Sequence, residues 1–354
     1  MAGKRTLPTP FSDPLRFEGA TRTSTASRGL NVARRVGLRL LTHVLPLMLV
    51  IITSTFFLIH SAPGSFVEIM SSEMQISDQA MIDRLTVTYG LDQPLWIQWL
   101  RYLQAIAQFD LGFSYRQNMP VLEAILHHLP ATLILMVTGL LVALISGVAA
   151  GVLAASRPNS TLDRVLSLAG VFLFAAPGFW LGIMLIVLFG VVLGWLPIGD
   201  MRTIGGDFGF VGGVLDVAKH LILPAVAMGL HQSAIYLRVT RAAMIEAAAA
   251  DYVKTARAKG LSEQAVALRH VFRNALLPIV TVLGLQFATV FSGSVVVEAV
   301  FNWPGIGSLL YDAVVARDYP MVLGVIILSA LVVILVNLVI DALYAWLDPR
   351  IALD

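Results

Sequence analysis

Long apolar stretches constrain this chain more than any other feature of its sequence. A helix needs about 20 mostly apolar residues to cross a membrane, and six stretches meet or approach that length. They are Leu40–Ile59, Leu129–Ala155, Val165–Ile198, Leu221–Leu237, Ala275–Val297 and Met321–Leu347. Only 13% of the residues are charged, whereas about a quarter are charged in soluble domains. The pattern predicts an all-α membrane protein with six transmembrane helices.

Two of the six spans are irregular. The third is too long for one straight crossing and is divided by Pro177-Gly178, so we expect one tilted or kinked span with an extracytoplasmic extension. The fourth is short and contains His231, Gln232 and Ser233. It is the weakest of the six predictions.

The N-terminal region divides into a tail and a first span. Residues 1–35 are rich in Ser, Thr, Arg and Pro, a composition that indicates a disordered cytoplasmic tail. Residues 36–60 then form the first span. Its apolar core is longer than that of a cleaved signal peptide, and no A-x-A site follows it, so we expect a retained signal anchor.

The distribution of basic residues predicts the orientation. Eighteen Lys and Arg lie in the N-terminal segment, in 156–164, in 238–274 and at the C-terminus, and six lie in the alternate segments. Basic residues favour the cytoplasmic side. Both termini, including 348–354, are therefore expected in the cytoplasm.

The segment 61–128 is predicted to be extracytoplasmic and helical. Within it, Trp96, Trp99, Leu100 and Leu103 follow a helical spacing, and Pro94 stands near the start of that helix. We interpret the segment as a small helical cap on the outer ends of the spans. A ligand-binding module of its own is the alternative.

The core with spans two to six is placed in residues 129–347. Span two carries Ala143, Gly147, Gly151 and Ala155, each four residues apart. Small residues at this spacing line one helix face and permit another helix to approach closely. This pattern predicts a tight helix–helix seam and does not identify a function.

Polar residues inside the spans are candidates for a translocation path. They include His231 and Arg238 on one face of span four. The residues that we select as path candidates are Ser233, Gln286, Thr289 and Asn337. The alternative is that such residues form hydrogen bonds between helices, and for Ser233 and Gln286 both interpretations stay open.

Several kinds of chemistry are absent from the sequence. The chain has no cysteine, which excludes disulfides and thiolate metal sites, and it contains no P-loop, H-E-x-x-H or G-x-S-x-G motif. We therefore expect no catalytic residue, metal site or cofactor in this chain. An ion-coupled carrier and an intramembrane hydrolase that uses Asp200 and Asp312 are the alternative hypotheses.

The stretch 251–262, DYVKTARAKGLS, predicts a short helix on the cytoplasmic side. Asp251 suits the N-cap, Tyr252 to Lys259 give about two turns, and Gly260 suits the position after the helix. Ser262 can then cap a second helix. A basic loop resting on lipid headgroups explains only the charges, whereas a rigid helix that fits a groove on a soluble partner also explains the caps and the glycine.

Residues 246–278, EAAAADYVKTARAKGLSEQAVALRHVFRNALLP, resemble the cytoplasmic EAA loop of ABC importer permeases of the dipeptide/oligopeptide family. YGLDQPLWIQWLRYL, FDLGFSY, VEAVFNWPGIGSLLYDAVVARDYP and WLDPRI are similar to that family in the same order. The wider superfamily has a Leu-Pro pair about a dozen residues after the glycine, where this chain has Phe272-Arg273. Here the Leu-Pro pair comes later, as Leu277-Pro278. This shift resembles the peptide branch of the superfamily. The long segment after span one resembles the first of the two permease types.

The resemblance implies a set of partners. A second, related permease completes a heterodimer, two cytoplasmic ATPases bind ATP and Mg²⁺, and an external solute-binding protein delivers the solute. Lipid surrounds the spans, and no nucleic acid is involved. The resemblance implies transport of di- or oligopeptides, with nickel chelates, glutathione or another small solute as alternatives.

The resemblance also implies a role for the EAA loop, 241–274. Its short helix would be the coupling helix that contacts an ATPase. The residues that this assignment covers are Asp251, Tyr252, Thr255, Ala256, Arg257, Lys259 and Gly260.

Overall fold

The computed structural model describes residues 42, 44–61, 86–87, 92–114, 116–206 and 208–347, without the side chains of 59, 285, 287–292 and 339–347. The chain divides into two compact units between Leu47 and Met48. The predictions for the tail 1–35, for most of 61–91 and for the C-terminus 348–354 lie outside the described residues.

The described elements are helices with one small pair of strands, so the all-α class is confirmed. Strands β1 (Phe113–Ser114) and β2 (Met119–Pro120) pair antiparallel. The helices are α1 (Leu45–His60), α2 (Leu95–Ala107), α3 (Val121–Ser156), α4 (Thr161–Ala175), α5 (Gly178–Leu185), α6 (Phe210–Ala248), α7 (Asp251–Ala258), α8 (Glu263–Ala265), α9 (Arg273–Val300), α10 (Ile306–Val315) and α11 (Tyr319–Leu347). Two π-helical segments, Ile186–Val192 and Val266–Phe272, extend α5 and join α8 to α9.

Four described helical stretches are long and apolar enough to cross a membrane. They are Val121–Ser156, Phe210–Ala248, Glu263–Gly284 and Tyr319–Leu338. A fifth is added if the bent pair formed by α4 and α5 is one broken span, and α1 is a shorter apolar helix. The prediction of six spans therefore matches only when α1 and the bent pair each count as one crossing.

The third span is broken at the predicted place, and more sharply than a kink. Helix α4 and the helix that begins at Gly178 are bent by 105°. Ala176 and Pro177 both take extended backbone conformations between the two helices. A proline disfavours the helical conformation of the residue before it, so the Ala-Pro pair both ends α4 and redirects the chain.

Helices α3 and α6 pack closely along the predicted small-residue face. Ala143, Gly147 and Gly151 are buried there. A Cβ added at Gly147 would lie 2.4 Å from the carbonyl oxygen of Ser233, and one at Gly151 would lie 2.6 Å from the Cβ of Thr240. Only glycine permits this approach, so the predicted seam is confirmed.

The seam helices extend beyond the hydrocarbon core. At 1.5 Å per residue α3 is about 54 Å long, whereas the core is about 30 Å thick. Residues 121–128, which the sequence assigned to the outer segment, form the first two turns of α3. The long pair α3 and α6 thus links one end of the bundle to the other.

Candidate functional site

The short cytoplasmic helix predicted from the sequence is present as α7. It begins at Asp251, and Ala250 occupies the N-cap position without a side-chain hydrogen bond. The prediction of Asp251 as the N-cap is wrong, because the helix starts one residue earlier than expected and Asp251 lies in its first turn. Gly260 follows the C-cap residue Lys259 with φ +76°, a conformation that favours glycine.

The turn after Gly260 is held from both sides. Ser262 caps the next helix by accepting a hydrogen bond from the backbone N–H of Ala265 at 3.3 Å, as predicted. Arg257 donates from Nε and Nη2 to the two carboxylate oxygens of Glu263, at 2.9 Å and 3.2 Å. A bidentate pair of this kind fixes geometry in two directions, so α7 and α8 keep a defined angle.

One face of α7 is packed into the base of the bundle. Val253 and Ala256 are buried. The apolar cluster around them, which we call the base cluster, consists of Met244, Val253, Ala256, Val266, Val271 and Ala275. The cluster joins the end of α6, α7, the π-helical segment and the start of α9, so α7 is packed against both long helices.

The other face of α7 is exposed. The exposed members of the predicted coupling set are Asp251, Tyr252, Thr255, Arg257, Lys259 and Gly260. Ala256 is different, because it is 4% exposed and contacts this chain itself. The small side chain of Ala256 therefore serves the attachment of α7 to the bundle, and direct contact of Ala256 with a partner does not fit its position.

An ion pair that the sequence did not predict lies close to this loop. Arg241 of α6 donates to both carboxylate oxygens of Asp163, the third residue of α4. Asp163 is almost fully buried and also accepts from the backbone N–H of Asn159 at 2.8 Å. The pair joins the broken span to α6, seven residues before α6 ends at Ala248.

The four predicted path residues do not share one environment. Ser233 is buried in the α3–α6 seam and donates to the carbonyl oxygen of Leu230 at 2.7 Å. Gln286 is buried in α9, and Asn337 is exposed on α11. The side chain of Thr289 lies outside the described part. Ser233 thus contributes to helix packing, whereas Asn337 is exposed.

His231 and Arg238 share one neighbour. His231 Nδ1 forms a hydrogen bond with the carbonyl oxygen of Leu173 at 3.2 Å, and its ring stacks with Phe174. The Arg238 guanidinium lies 4.6 Å from the centre of the same Phe174 ring. The predicted common face of these two residues therefore packs on α4, which is the interhelical alternative stated above.

A buried carboxylate organises the opposite end of the bundle. Glu298 of α9 has no exposed surface. It accepts from the hydroxyl of Thr132 at 2.9 Å and from the backbone N–H groups of Gly307 and Ser308 at 2.6 Å and 3.1 Å. The hydroxyl of Thr132 accepts in turn from the N–H of Ile306 at 2.7 Å. The start of α10 is thereby fixed to α3 and α9.

The glycines of the WPGIG sequence make this arrangement possible. A Cβ at Gly305 would lie 2.3 Å from Glu298 Oε2, and one at Gly307 would lie 2.8 Å from the same atom. Trp303 is fully buried beside them and donates from its indole N–H to the carbonyl oxygen of Ala131 at 2.9 Å. The WPGIG stretch itself was the available sequence signal, although its contact with Glu298 was not foreseen.

Asp200 and Asp312 line one small cavity next to this site. Its volume is about 220 Å³, and its lining includes His128, Asn302 and Ser308. Asp200 accepts a hydrogen bond from the side-chain amide of Asn302. The two aspartates of the hydrolase hypothesis thus share a cavity, with Asp200 in a loop and Asp312 in α10. The expectation that Asp312 also lies in a loop is wrong.

Comparison with known proteins places these features in a family. The profile described as "Binding-protein-dependent transport system inner membrane component" matches residues 147–353. The chain belongs to this family. The profile for the N-terminal part of such membrane components matches residues 33–136, so the two profiles together include both the EAA loop and the outer segment of this permease.

Curated relatives align with nearly the whole permease. The "Di/tripeptide transport system permease protein DppB" of Pseudomonas aeruginosa (strain UCBPP-PA14) is 42% identical over 90% of this chain and 98% of its own length. The "Oligopeptide transport system permease protein AppB" of Bacillus subtilis (strain 168) is 39% identical over 87% and 96%. The "Glutathione transport system permease protein GsiC" of Escherichia coli (strain K12) is 39% identical over 87% and 95%.

A solved structure shares the fold of the permease core. It is titled "Inward facing conformations of the MetNI methionine ABC transporter" and aligns with a TM-score of 0.51 and 16% identity. The alignment covers 64% of this chain and 97% of the solved one.

These findings establish the class of the protein. It is a multi-pass membrane permease subunit of a binding-protein-dependent ABC importer. Permeases of this kind are transporter subunits and not enzymes, so the hydrolase hypothesis for Asp200 and Asp312 is set aside. The family implies that ATPase subunits and a solute-binding protein work with this chain.

Proposed function

We propose that this permease forms one half of the translocation path for di- or oligopeptides, with a second, related permease as the other half. Two ATPase subunits bind ATP and Mg²⁺ on the cytoplasmic side. The solute-binding protein delivers the peptide on the opposite side. Closure of the ATPases moves α7, and the helices rock between inward- and outward-open arrangements.

The geometry of α7 is the observation that carries this proposal. A two-turn helix is too short to be stable alone, yet α7 is anchored through Val253 and Ala256 and locked by the Arg257–Glu263 pair. Its remaining face is exposed and presents Tyr252 and Thr255. A rigid helix with one anchored and one free face is suited to transmit force from a protein partner.

The orientation follows from charge. The positive-inside distribution of Lys and Arg favours cytoplasmic termini and a cytoplasmic EAA loop in the bacterial inner membrane. This orientation puts α7 and the Asp163–Arg241 pair on the side of the ATPases. It puts the Glu298 site and the cavity with Asp200 and Asp312 on the side of the binding protein.

Gln286 and Asn337 are our candidates for lining the path, and Thr289 is kept with them on sequence grounds. Ser233 is no longer proposed as a lining residue, because it is enclosed between α3 and α6. Glutathione is the alternative substrate, and the 39% identity to a glutathione permease supports keeping it. Nickel chelates and other small solutes remain within the sequence-based expectation.

Uptake by the reconstituted complex tests the proposal. Proteoliposomes would hold both permeases and the ATPases, with ATP inside and the binding protein and a labelled dipeptide outside. We expect uptake that requires hydrolysable ATP, is unaffected by an uncoupler and is reduced by unlabelled dipeptide more than by glutathione. Uptake that continues without ATP and collapses with an uncoupler would identify an ion-coupled carrier instead.

A further inference from the structure

Helix α2 carries an apolar stripe that is largely exposed. Trp96, Leu100, Leu103 and Ala107 are spaced four, three and four residues apart, which aligns them on one helix face. Trp96 is 63% and Leu100 is 49% exposed, and α2 has no fully buried residue. The expected packing of this helix on the ends of the spans therefore does not account for the apolar stripe.

A second stripe on α2 is polar. Arg101, Gln104 and Gln108 follow one another at three and four residues and are all exposed. The two stripes lie on different sides of the helix, at about 100° per residue. This is the distribution expected for a helix at a boundary between apolar and aqueous surroundings.

A third face of α2 is attached to α1. The indole N–H of Trp99 donates to the hydroxyl of Thr53 at 3.2 Å, and His60 Nε2 is 3.3 Å from the side-chain oxygen of Gln98. The ring of Tyr102 lies 5.6 Å from that of Phe56. These contacts run along α1 from its last residue to Thr53.

The contacts set the depth of α2 relative to the membrane. Thr53 precedes His60, the last residue of α1, by seven residues, which corresponds to about 10 Å along the helix axis. One leaflet contributes about 15 Å to the hydrocarbon core. If α1 spans the membrane, Trp99 lies below the surface of the leaflet into which α1 leads.

We propose that α2 is a membrane-interface helix whose Trp96–Leu100–Leu103–Ala107 stripe lies in the acyl-chain boundary of the outer leaflet. Helix α1, on which α2 packs, also carries exposed apolar side chains, among them Phe57 and Leu58, and these face the same lipid if α1 crosses the membrane. Tryptophan is enriched at this depth, because its ring is apolar while its N–H is polar. Arg101 and Gln104 then face the water.

Collision accessibility of a spin label tests the proposal. Because the chain has no cysteine, single cysteines at Trp96, Leu100, Arg101 and Gln104 can be labelled on this chain before the importer complex is assembled in bilayers. We expect labels at 96 and 100 to collide severalfold more with oxygen, which concentrates in lipid, than with a water-soluble nickel complex. Labels at 101 and 104 should show the reverse ratio.

Two results would overturn the proposal. Equal access of the nickel complex to all four positions would place the stripe in water. Low access of both reagents at 96 and 100 would place it against a protein, such as the second permease. Tryptophan fluorescence gives a measurement without labels. Lipids with acyl chains brominated near the headgroup should quench a smaller fraction of the total fluorescence in Trp96→Phe than in the unmodified protein. An unchanged quenched fraction would also contradict the proposal.

Discussion

The guanidinium of Arg241 binds both carboxylate oxygens of Asp163, with Nε and Nη2 at 2.6 Å and 2.8 Å. The side chain of Asp163 is 4% exposed, whereas that of Arg241 is 31% exposed. Asp163 lies at the start of the broken span, and Arg241 lies about two turns before the end of α6 at Ala248. The pair therefore connects α4 to the part of α6 that α7 would move.

Removal of either partner of this pair should destabilise the permease, and removal of Arg241 should cost more than removal of the Asp163 charge. Arg241→Met leaves a buried carboxylate without its cation and should cost about 3 kcal/mol. Asp163→Asn leaves a cation that water can reach and should cost less, about 1–2 kcal/mol. The thermal unfolding midpoint of the purified complex measures both.

A matched control lies on α7. Lys254 pairs with Asp251 at 2.9 Å, but both side chains are largely exposed, and exposed pairs contribute little. Lys254→Met should therefore leave the midpoint nearly unchanged. A larger drop of the midpoint in Asp163→Asn than in Arg241→Met would contradict this account. It would mean that the unpaired buried carboxylate is not the main cost of losing the pair.

Gly147→Ala should disrupt the α3–α6 seam. Its Cβ would meet backbone and Cβ atoms of α6 at 2.4 Å and 2.6 Å, and neither can rotate away. Overpacking of this kind costs about 1–3 kcal/mol, so we expect a lower unfolding midpoint and less complex in the membrane fraction.

Gly293→Ala is the counterpart inside another helix. A Cβ at Gly293 of α9 would meet no atom of this chain within 4 Å, and alanine is favoured over glycine in a helix by about 1 kcal/mol. The midpoint should be unchanged or higher. Equal losses for both variants would mean that the close approach at Gly147 is not what its glycine provides.

Glu298→Gln tests the buried carboxylate. The hydroxyl of Thr132 and the backbone N–H groups of Gly307 and Ser308 donate to it, and the side chain of Ser294 also forms a hydrogen bond with it. A glutamine amide accepts hydrogen bonds only through its oxygen, whereas both carboxylate oxygens of glutamate accept them. The NH₂ group of the glutamine would therefore point at one of these donors and lose that hydrogen bond. We expect a loss of about 1–2 kcal/mol and faster proteolysis at 301–318, with a larger effect for Glu298→Ala. Unchanged proteolysis in Glu298→Ala would contradict the role of Glu298.

The contrast between Gly147 and Glu298 shows what the sequence could predict. The seam was predictable, because small residues at a spacing of four lie on one helix face whatever the rest of the fold does. Glu298 was not, because its partner Thr132 is 166 positions away and two of its donors are backbone N–H groups. Ala256 was foreseen as part of the right helix and assigned to the wrong face, since only the fold decides which side of α7 is packed.

Gly260→Val should uncouple transport. Gly260 has φ +76°, which a β-branched residue strongly disfavours, so the turn between α7 and α8 should be distorted. We expect the variant to insert into the membrane but to lose ATP-driven uptake. Gly205→Val is matched, because Gly205 also has φ +76° and neither glycine has another atom within 4 Å of an added Cβ. Comparable loss of uptake in both would assign the defect to strain alone.

The contact between α7 and an ATPase can be measured by photo-crosslinking in the assembled importer. Tyr252 on α7 is 43% exposed, and Tyr311 on α10, at the opposite end in the proposed orientation, is 57% exposed. With benzoylphenylalanine in place of Tyr252, irradiation should join this chain to the ATPase subunit, and the same substitution at Tyr311 should not. Absence of an ATPase product from position 252, or equal amounts from both positions, would contradict the assignment of α7 as the coupling helix.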